Sequence, residues 1–291
     1  MSGAPRVGAE SSRTARYIIL IVIGAIFAIP IVSMIEYTLR TNEATATAAQ
    51  QYGFQHYLDV FNPTNEPIYD ELFQGIQNSL VIAFFTILVV LVLLLPTMIL
   101  VELQFPRLRK VLEFICLLPV TIPTIVLVVG FIPIFSVVAS IFGSTPYTLA
   151  FAIGAIVLPY AYRPIAANLS GLDVVTLSEA GRSLGASWLN VLWRVILPNL
   201  RRGILASVFI TIAVVLGEYT IASFLSQNTF QTALFYIQQQ DPYVAVIFAV
   251  FALVLVSIIL MFIGRLGTIR PPRPKSVQRK AVTPVRKATN P

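Results

Sequence analysis

One acidic residue, Glu218, lies in an apolar stretch of the sequence, VVLGEYTIASFL (214–225). A carboxylate in such a stretch can attract a cation or accept hydrogen bonds, and it is costly to bury without a partner. Ser207, Thr211 and Glu218 follow one another at spacings of four and seven residues, which places them on one face of a helix. We predict that these side chains line a polar passage. The alternative for Glu218 is a structural hydrogen bond to a neighbouring helix.

A segment with regular spacing lies at EAGRSLGASWLNVLWRVILP (179–198). Thr176 and Glu179 have the spacing of a capping box, which predicts that a short helix begins at Thr176. Gly185 is expected to end or bend that helix. A short capped helix that projects from a loop is suited to insertion into a groove of another protein.

A second helical stretch is expected after Gly185, and Pro198 is expected to stop it. Its apolar residues recur at intervals of three and four, which predicts a stripe that packs beneath the rest of the molecule. The stripe consists of Trp188, Leu189, Leu192, Val195 and Ile196.

The segment 113–143 is apolar and contains several prolines, including Pro119, Pro123 and Pro133. Proline removes a backbone donor and kinks a helix, and the carbonyl groups that it frees must face protein or water. The segment is therefore expected to pack inside a bundle. Pro119 and Pro123 either kink the helix only or also line a passage.

The composition indicates that lipid surrounds these elements. The chain has 291 residues, of which 57% are hydrophobic and 11% are charged, a balance typical of an integral membrane protein. Since a helix needs about 20 apolar residues to cross a bilayer, the long apolar runs predict an all-α polytopic membrane protein with six transmembrane helices. The predicted spans are 17–39, 76–101, 113–141, 147–167, 203–225 and 242–266.

Basic residues predict the orientation, because Lys and Arg next to spans are retained in the cytoplasm. With the N-terminus inside, 19 of the 20 Lys and Arg residues are cytoplasmic and only Arg40 lies outside. Both termini are then cytoplasmic, as a tail at 1–16 and a basic, proline-rich tail at 267–291 that is expected to be disordered beside anionic lipid. The basic excess therefore requires no nucleic acid.

Two functional motifs are missing from the sequence. It contains no G-x-x-x-x-G-K-[ST] nucleotide loop and no H-E-x-x-H. His56 and Cys116 have no companions at the spacing of metal ligands, so neither a metal nor a catalytic residue is predicted. A membrane enzyme is thus disfavoured. An ion channel or ion-coupled carrier is also disfavoured, since Glu218 has no charged companion deep in a span.

The segment 179–198 resembles the EAA loop of permease subunits of ATP-binding-cassette importers, whose pattern is E-A-A, three residues, G, nine residues, then I-x-L-P. Glu179, Ala180, Gly185, Leu197 and Pro198 match this pattern at the family's spacing. Two positions depart from it, because Gly181 replaces the second Ala and Val195 replaces the Ile. The loop between the fourth and fifth predicted spans, 168–202, is where the family carries this motif.

The resemblance implies the type I importer permease fold and a set of partners. Two such permeases, identical or homologous, form the pathway, a cytoplasmic ATP-binding subunit dimer docks on their EAA helices, and an extracytoplasmic binding protein delivers the solute. ATP would be bound by the partner, and the chain itself would need no cofactor. The setting implied is the bacterial cytoplasmic membrane. The residues implied in ATPase coupling are Glu179, Ala180, Gly181, Leu184, Gly185, Ala186, Leu197 and Pro198.

The amino-acid sequences of two segments are similar to those of one group of these permeases. LPVTIPTIVLVVG (118–130) and SLGAS (183–187) resemble permeases for polyamines, phosphonate, thiamine and ferric iron more than those for sugars. An acid at Glu218 would suit a cationic solute, so a polyamine such as spermidine or putrescine is the first expectation. The other solutes of the group, and sugars, remain open.

Overall fold

The computed structural model describes residues 13–41, 50–60 and 66–267 of the chain. Most of the two predicted tails, 1–12 and 268–291, lies outside these residues. The helices are α1 (Arg13–Thr38), α2 (Gln55–Asp59), α3 (Glu66–Val89), α4 (Leu95–Gln104), α5 (Arg109–Thr121), α6 (Thr124–Phe142), α7 (Leu149–Ser170), α8 (Val174–Ser183), α9 (Trp188–Val191), α10 (Leu197–Leu216), α11 (Thr220–Phe224), α12 (Phe230–Gln240) and α13 (Pro242–Gly267).

Two π-helical turns join pairs of helices into longer runs. The first π turn, Val90–Leu94, makes α3 and α4 one continuous helical run, and the second π turn, Leu192–Ile196, does the same for α9 and α10. Short 3₁₀ turns precede α5 and α7, at Pro106–Leu108 and Pro146–Thr148.

Five helical runs in the described part of the chain are long and apolar enough to cross a membrane. They are Thr14–Thr38, Tyr69–Gln104, Thr124–Phe142, Pro146–Ser170 and Trp188–Leu216, and they overlap the first five predicted spans. The sixth predicted span falls in α13, whose shorter apolar part is Pro242–Ile258. The chain is thus an α-helical multi-pass membrane protein. The sixth crossing and the cytoplasmic side of the termini stay predictions.

The main core is built around α7, which packs against α3, α5 and α10. The contact with α10 is the most extensive, and it is close because Gly203 lies against one turn of α7. A Cβ atom at position 203 would lie 2.8 Å from both the Pro164 carbonyl oxygen and Asn168 Cβ. Small residues permit such backbone approach between helices in lipid, where van der Waals packing takes the place of the hydrophobic effect.

The two ends of the bundle differ in charge and in packing. We call the end that carries Arg109, Arg201 and Arg202 the basic end, and the sequence predicts that it is cytoplasmic. At the opposite end, α12 packs on the first turns of α3 and α13 and forms a second, smaller core. The Ser79 hydroxyl accepts a hydrogen bond from the Phe230 amide at 2.8 Å and thereby ties α12 to α3.

The first helix contacts the bundle near the opposite end. The ring of Tyr37 on α1 stacks on that of Tyr243 on α13, with centroids 4.8 Å apart. The His56 ring also stacks on Tyr243, at 4.1 Å, and its Nε2 donates to the Arg40 carbonyl oxygen at 2.9 Å. Most of the remaining side chains of α1 are exposed, as expected of a helix surrounded by lipid.

The third predicted span, 113–141, is not one helix, so that prediction is wrong in its boundaries. The chain breaks between α5 and α6 at Ile122, whose backbone is extended (φ −103°, ψ 129°), and at Pro123. The cause is Pro123, since a proline disfavours the helical conformation of the residue before it. Only α6 qualifies as a membrane-spanning helix of the two. Pro119 and Pro133 lie inside helices.

The close contact at Gly203 gives a stability prediction. Gly203→Ala should lower the free energy of unfolding by about 1–3 kcal/mol, because the added methyl group meets the α7 backbone and overpacks the interface. Gly130→Ala is the matched control, because a Cβ there meets no atom within 4 Å. Thermal unfolding of the detergent-purified chain measures both. A Gly203→Ala variant as stable as the Gly130→Ala variant would contradict this packing.

Candidate functional site

The N-cap of α8 lies three residues before the position that the capping-box spacing predicts. Asp173 is the N-cap: its Oδ1 accepts from the Thr176 amide at 3.1 Å and its Oδ2 accepts from Thr176 Oγ1 at 2.7 Å. The prediction that Thr176 caps the helix is therefore wrong, because Thr176 donates to an earlier and better acceptor. These two hydrogen bonds, from the side chain and then the amide of Thr176, hold the pKa of the Asp173 carboxyl below its usual value.

The other end of α8 is closed by Gly185, as the sequence predicts. Gly185 has φ +83°, a conformation that residues with a Cβ rarely adopt. The Ala186 amide donates to the Gly181 carbonyl at 3.1 Å and the Gly185 amide donates to that of Arg182 at 2.9 Å. This pair of bonds is the Schellman arrangement, which satisfies the last carbonyl groups of a helix. Both ends of α8 are thus fixed by specific hydrogen bonds.

The two faces of α8 have different surroundings. Val174 and Ser178 are buried, and they face the bundle, where α8 packs against α4, α9 and the second π turn. The opposite face is exposed, and at its tip the Leu184 side chain is 89% exposed. The exposed members of the predicted coupling set are Glu179, Ala180, Leu184 and Gly185, whereas Gly181 and Ala186 are half-buried. An exposed apolar side chain on a rigid short helix is a feature of docking surfaces.

Gly181, which departs from the EAA pattern, has a specific neighbour. A Cβ at this position would lie 2.9 Å from Val191 Cγ2, and Val191 is fully buried. The valine thus occupies the space that an alanine methyl group at 181 would need. This contact joins α8 to the start of the run that leads into α10.

The predicted stop at Pro198 is wrong. The run from Trp188 continues through the second π turn into α10, and Pro198 lies in the first turn of α10, where its missing amide is tolerated. Leu197 is half-buried and Pro198 is exposed at this junction. The predicted apolar stripe is only partly buried, since Ile196 is buried whereas Leu192 and Val195 are half-buried. Its first two members, Trp188 and Leu189, are exposed at 39% and 63%.

Ser207 and Thr211 lie on α10 but face its helix neighbours. Both side chains are fully buried, and within the described residues their hydroxyl groups have no hydrogen-bond partner. They continue the line of Gly203 at spacings of four, which is the face that packs on α7. In this conformation the two hydroxyl groups border packed side chains and no open passage.

Glu218 does not share a helix with Ser207 and Thr211, so their predicted common helical face is wrong. The helix α10 ends at Leu216, and Glu218 lies in the break before α11. Its Oε1 accepts from the Ile221 amide at 2.6 Å. The sequence signal for this break is Gly217, which ends α10 and which the apolar pattern around it obscures. Glu218 thus satisfies an amide that the interrupted helix leaves without a backbone partner.

A cavity of about 340 Å³ lies beside this break, between α10, α12 and α13. Gly217 and Leu216 form part of its wall, with Leu234 of α12 and Ala252 of α13 among the other lining residues. The lining is mostly apolar, and Gln231 and Ser257 contribute side-chain polar groups. Sequence reasoning missed this cavity because its walls come from three elements far apart in the chain.

The remaining predicted pathway residues lie on other elements. Pro119 is half-buried inside α5 and Pro123 is exposed at the start of α6. The structure therefore does not gather the pathway candidates into one constellation. Among the described residues, no group of three or more His, Cys, Asp or Glu side chains could hold a metal ion.

The chain matches the family described as the binding-protein-dependent transport system inner membrane component over residues 104–267, more than half of its length, and it belongs to that family. The members are inner-membrane permease subunits of type I ATP-binding-cassette transporters, and they work with ATP-binding and substrate-binding partners. A curated relative is "Sulfate permease 2, chloroplastic" of Chlamydomonas reinhardtii, 36% identical over 80 residues. That match covers 28% of this chain and 21% of the relative.

The contact between Gly181 and Val191 generates a prediction. Gly181→Ala should destabilise the loop although alanine is the better helix former, because its methyl group meets Val191 Cγ2. Adding Val191→Ala should relieve that clash, so the double variant should be more stable than the sum of the single variants by about 0.5–3 kcal/mol. Chemical unfolding of the four chains in detergent measures this coupling. Strictly additive effects would show that the two residues do not touch.

Proposed function

We propose that the chain forms half of the translocation pathway of an importer and couples that pathway to ATP hydrolysis by a separate subunit through α8. The observation that carries the proposal is the geometry of α8. This helix is fixed at both ends, presents Glu179 and Leu184 outward, and lies at the basic end of a chain of the permease family. ATP would bind to the partner subunit dimer. A second permease, identical or homologous, would complete the pathway in a bacterial cytoplasmic membrane.

The contacts behind α8 support a mechanical role for it. Its buried face packs on α4, which continues the second span, and on the second π turn, which leads into α10. A displacement of α8 by a docked subunit would therefore act on two membrane helices. Such rigid-body movements are a common way to switch the side to which a transporter is open.

We propose a polyamine as the solute. The sequences of the third predicted span and of the EAA loop support this choice. The position of Glu218 gives limited support, because its Oε1 is already bonded to the Ile221 amide. Sulfate is a second candidate, since the relative from Chlamydomonas reinhardtii is named a sulfate permease. In these systems an extracytoplasmic binding protein would deliver the solute, and that protein would set most of the selectivity.

Charge reversal on the exposed face of α8 tests the coupling. Glu179→Lys should abolish or strongly reduce co-purification of the ATP-binding subunit, because it places the wrong charge in the docked surface. Gly185→Asp should do the same, because it puts a Cβ at φ +83° and a negative charge at the C-terminal end of α8. Glu71→Lys, an equal charge reversal at an exposed site of the opposite end, is the control. Normal assembly and ATP-driven uptake by Glu179→Lys and Gly185→Asp would refute the proposal.

Two substitutions of Glu218 separate a solute-binding role from a structural one. Gln keeps an acceptor for the Ile221 amide but loses the charge, and Leu loses both. If the carboxylate binds a polyamine, Glu218→Gln should lower uptake of labelled spermidine by at least tenfold in proteoliposomes that contain the whole transporter. Equal uptake by wild type and Glu218→Gln, with loss in Glu218→Leu, would assign Glu218 to the helix break alone.

A further inference from the structure

The two π turns of the chain share one local arrangement. The first, Val90–Leu94, is followed by Leu95, Pro96 and Thr97, and the second, Leu192–Ile196, is followed by Leu197, Pro198 and Asn199. In each case a five-residue π turn precedes Leu-Pro, and the residue after the proline carries a hydrogen-bond donor. The two segments lie in separate runs and are about a hundred residues apart in the chain.

The donor has the same function at both places. Thr97 Oγ1 donates to the Leu93 carbonyl oxygen at 2.6 Å, and Asn199 Nδ2 donates to the Val195 carbonyl oxygen at 2.7 Å. Each acceptor lies four residues before its donor and inside the π turn. Because proline has no amide and a π turn weakens the backbone ladder, each side-chain donor adds a hydrogen bond where the ladder is interrupted, which matters most in lipid.

Proline alone does not produce this arrangement. Within the described residues, other prolines lie inside helices that the structure assigns as uninterrupted α-helix. They are Pro30 in α1, Pro119 in α5, Pro133 in α6, and Pro159 and Pro164 in α7. The π turn together with the side-chain donor is thus a specific feature of the runs that contain Pro96 and Pro198.

Each π turn has its side-chain hydrogen bond on the exposed side and packs into the main core on the other side. Thr97 and Asn199, like the prolines before them, are exposed, whereas Leu94 and Ile196 are buried in the main core. Bending at such a turn can open the exposed side of the helix while the packed side keeps its contacts with the core. A π turn is a recognised site of helix bending for this reason.

The helix α8 reaches the two π turns differently. It packs directly on the second π turn, whereas near the first it packs on α4, the helix that follows that turn. Resting on the proposed coupling function, we infer that the two π turns are hinges through which α8 moves the second and fifth spans. Thr97 and Asn199 are the positioning residues that hold the hinge carbonyl groups and set how readily each hinge opens.

Amide hydrogen exchange of the full chain in lipid nanodiscs tests the hinges without any partner. Thr97→Val should speed exchange in 90–95, and Asn199→Leu in 192–197, by roughly threefold to tenfold, the range expected for loss of one hydrogen bond. Thr97→Ser and Asn199→Ser should restore the wild-type rates, because serine makes the same bond four residues back at Ser183 and Ser257. Ser257→Ala removes such a bond in α13, where no π turn is present, and should leave exchange in 253–257 unchanged.

The same variants, assembled with the ATP-binding subunit in liposomes, should bind that subunit normally but change its ATP hydrolysis rate at least threefold. Unchanged exchange in both Thr97→Val and Asn199→Leu, or an equal rise in Ser257→Ala, would overturn the hinge assignment. If Asn199→Leu does not fold, Thr97→Val decides the outcome. Suppose that exchange is faster in the variants but the wild-type chain does not bind the ATP-binding subunit. That result would refute the proposed function and still support the hinge assignment.

Discussion

The close contact of α10 with α7 is the interaction on which the other parts of the bundle depend. Lipid gives helices no hydrophobic reason to associate, so the contact relies on the approach of backbones at Gly203 and on close packing along the interface. The helix α7 also carries α3 and α5, and α10 is continuous with the second π turn and α9. The helical run that begins just after α8 is therefore continuous with the centre of the bundle.

The surrounding lipid also constrains the breaks in the helices. Backbone groups without partners are tolerated at membrane depth only where protein or water satisfies them, so each break needs a local donor or acceptor. Thr97 and Asn199 supply donors at the π turns, and Glu218 supplies an acceptor between α10 and α11. Polar residues that look like parts of a pathway in the sequence thus include some that repair the backbone. Their positions mark where the helices are interrupted.

The apolar runs predict the membrane helices because length and hydropathy depend on local composition alone. Gly185 likewise ends α8 as predicted, since its left-handed conformation is a local property. Pro198 was expected to end a helix, but the preceding π turn and the Asn199 side chain let the run continue. The cavity beside Gly217 and the contact of Gly181 with Val191 depend on side chains from separate elements, and no local pattern in the sequence encodes them.

The proposed coupling requires that the exposed face of α8 meets an ATP-binding subunit. The most direct measurement is site-specific photo-crosslinking in membranes that contain the whole transporter, with the photoreactive residue at position 184. Leu184 is 89% exposed at the tip of α8, and Leu58, 70% exposed in α2, is the comparison at the opposite end. We expect a crosslink to the ATP-binding subunit from position 184 and none from position 58. No crosslink from 184, or the same product from both positions, would contradict it.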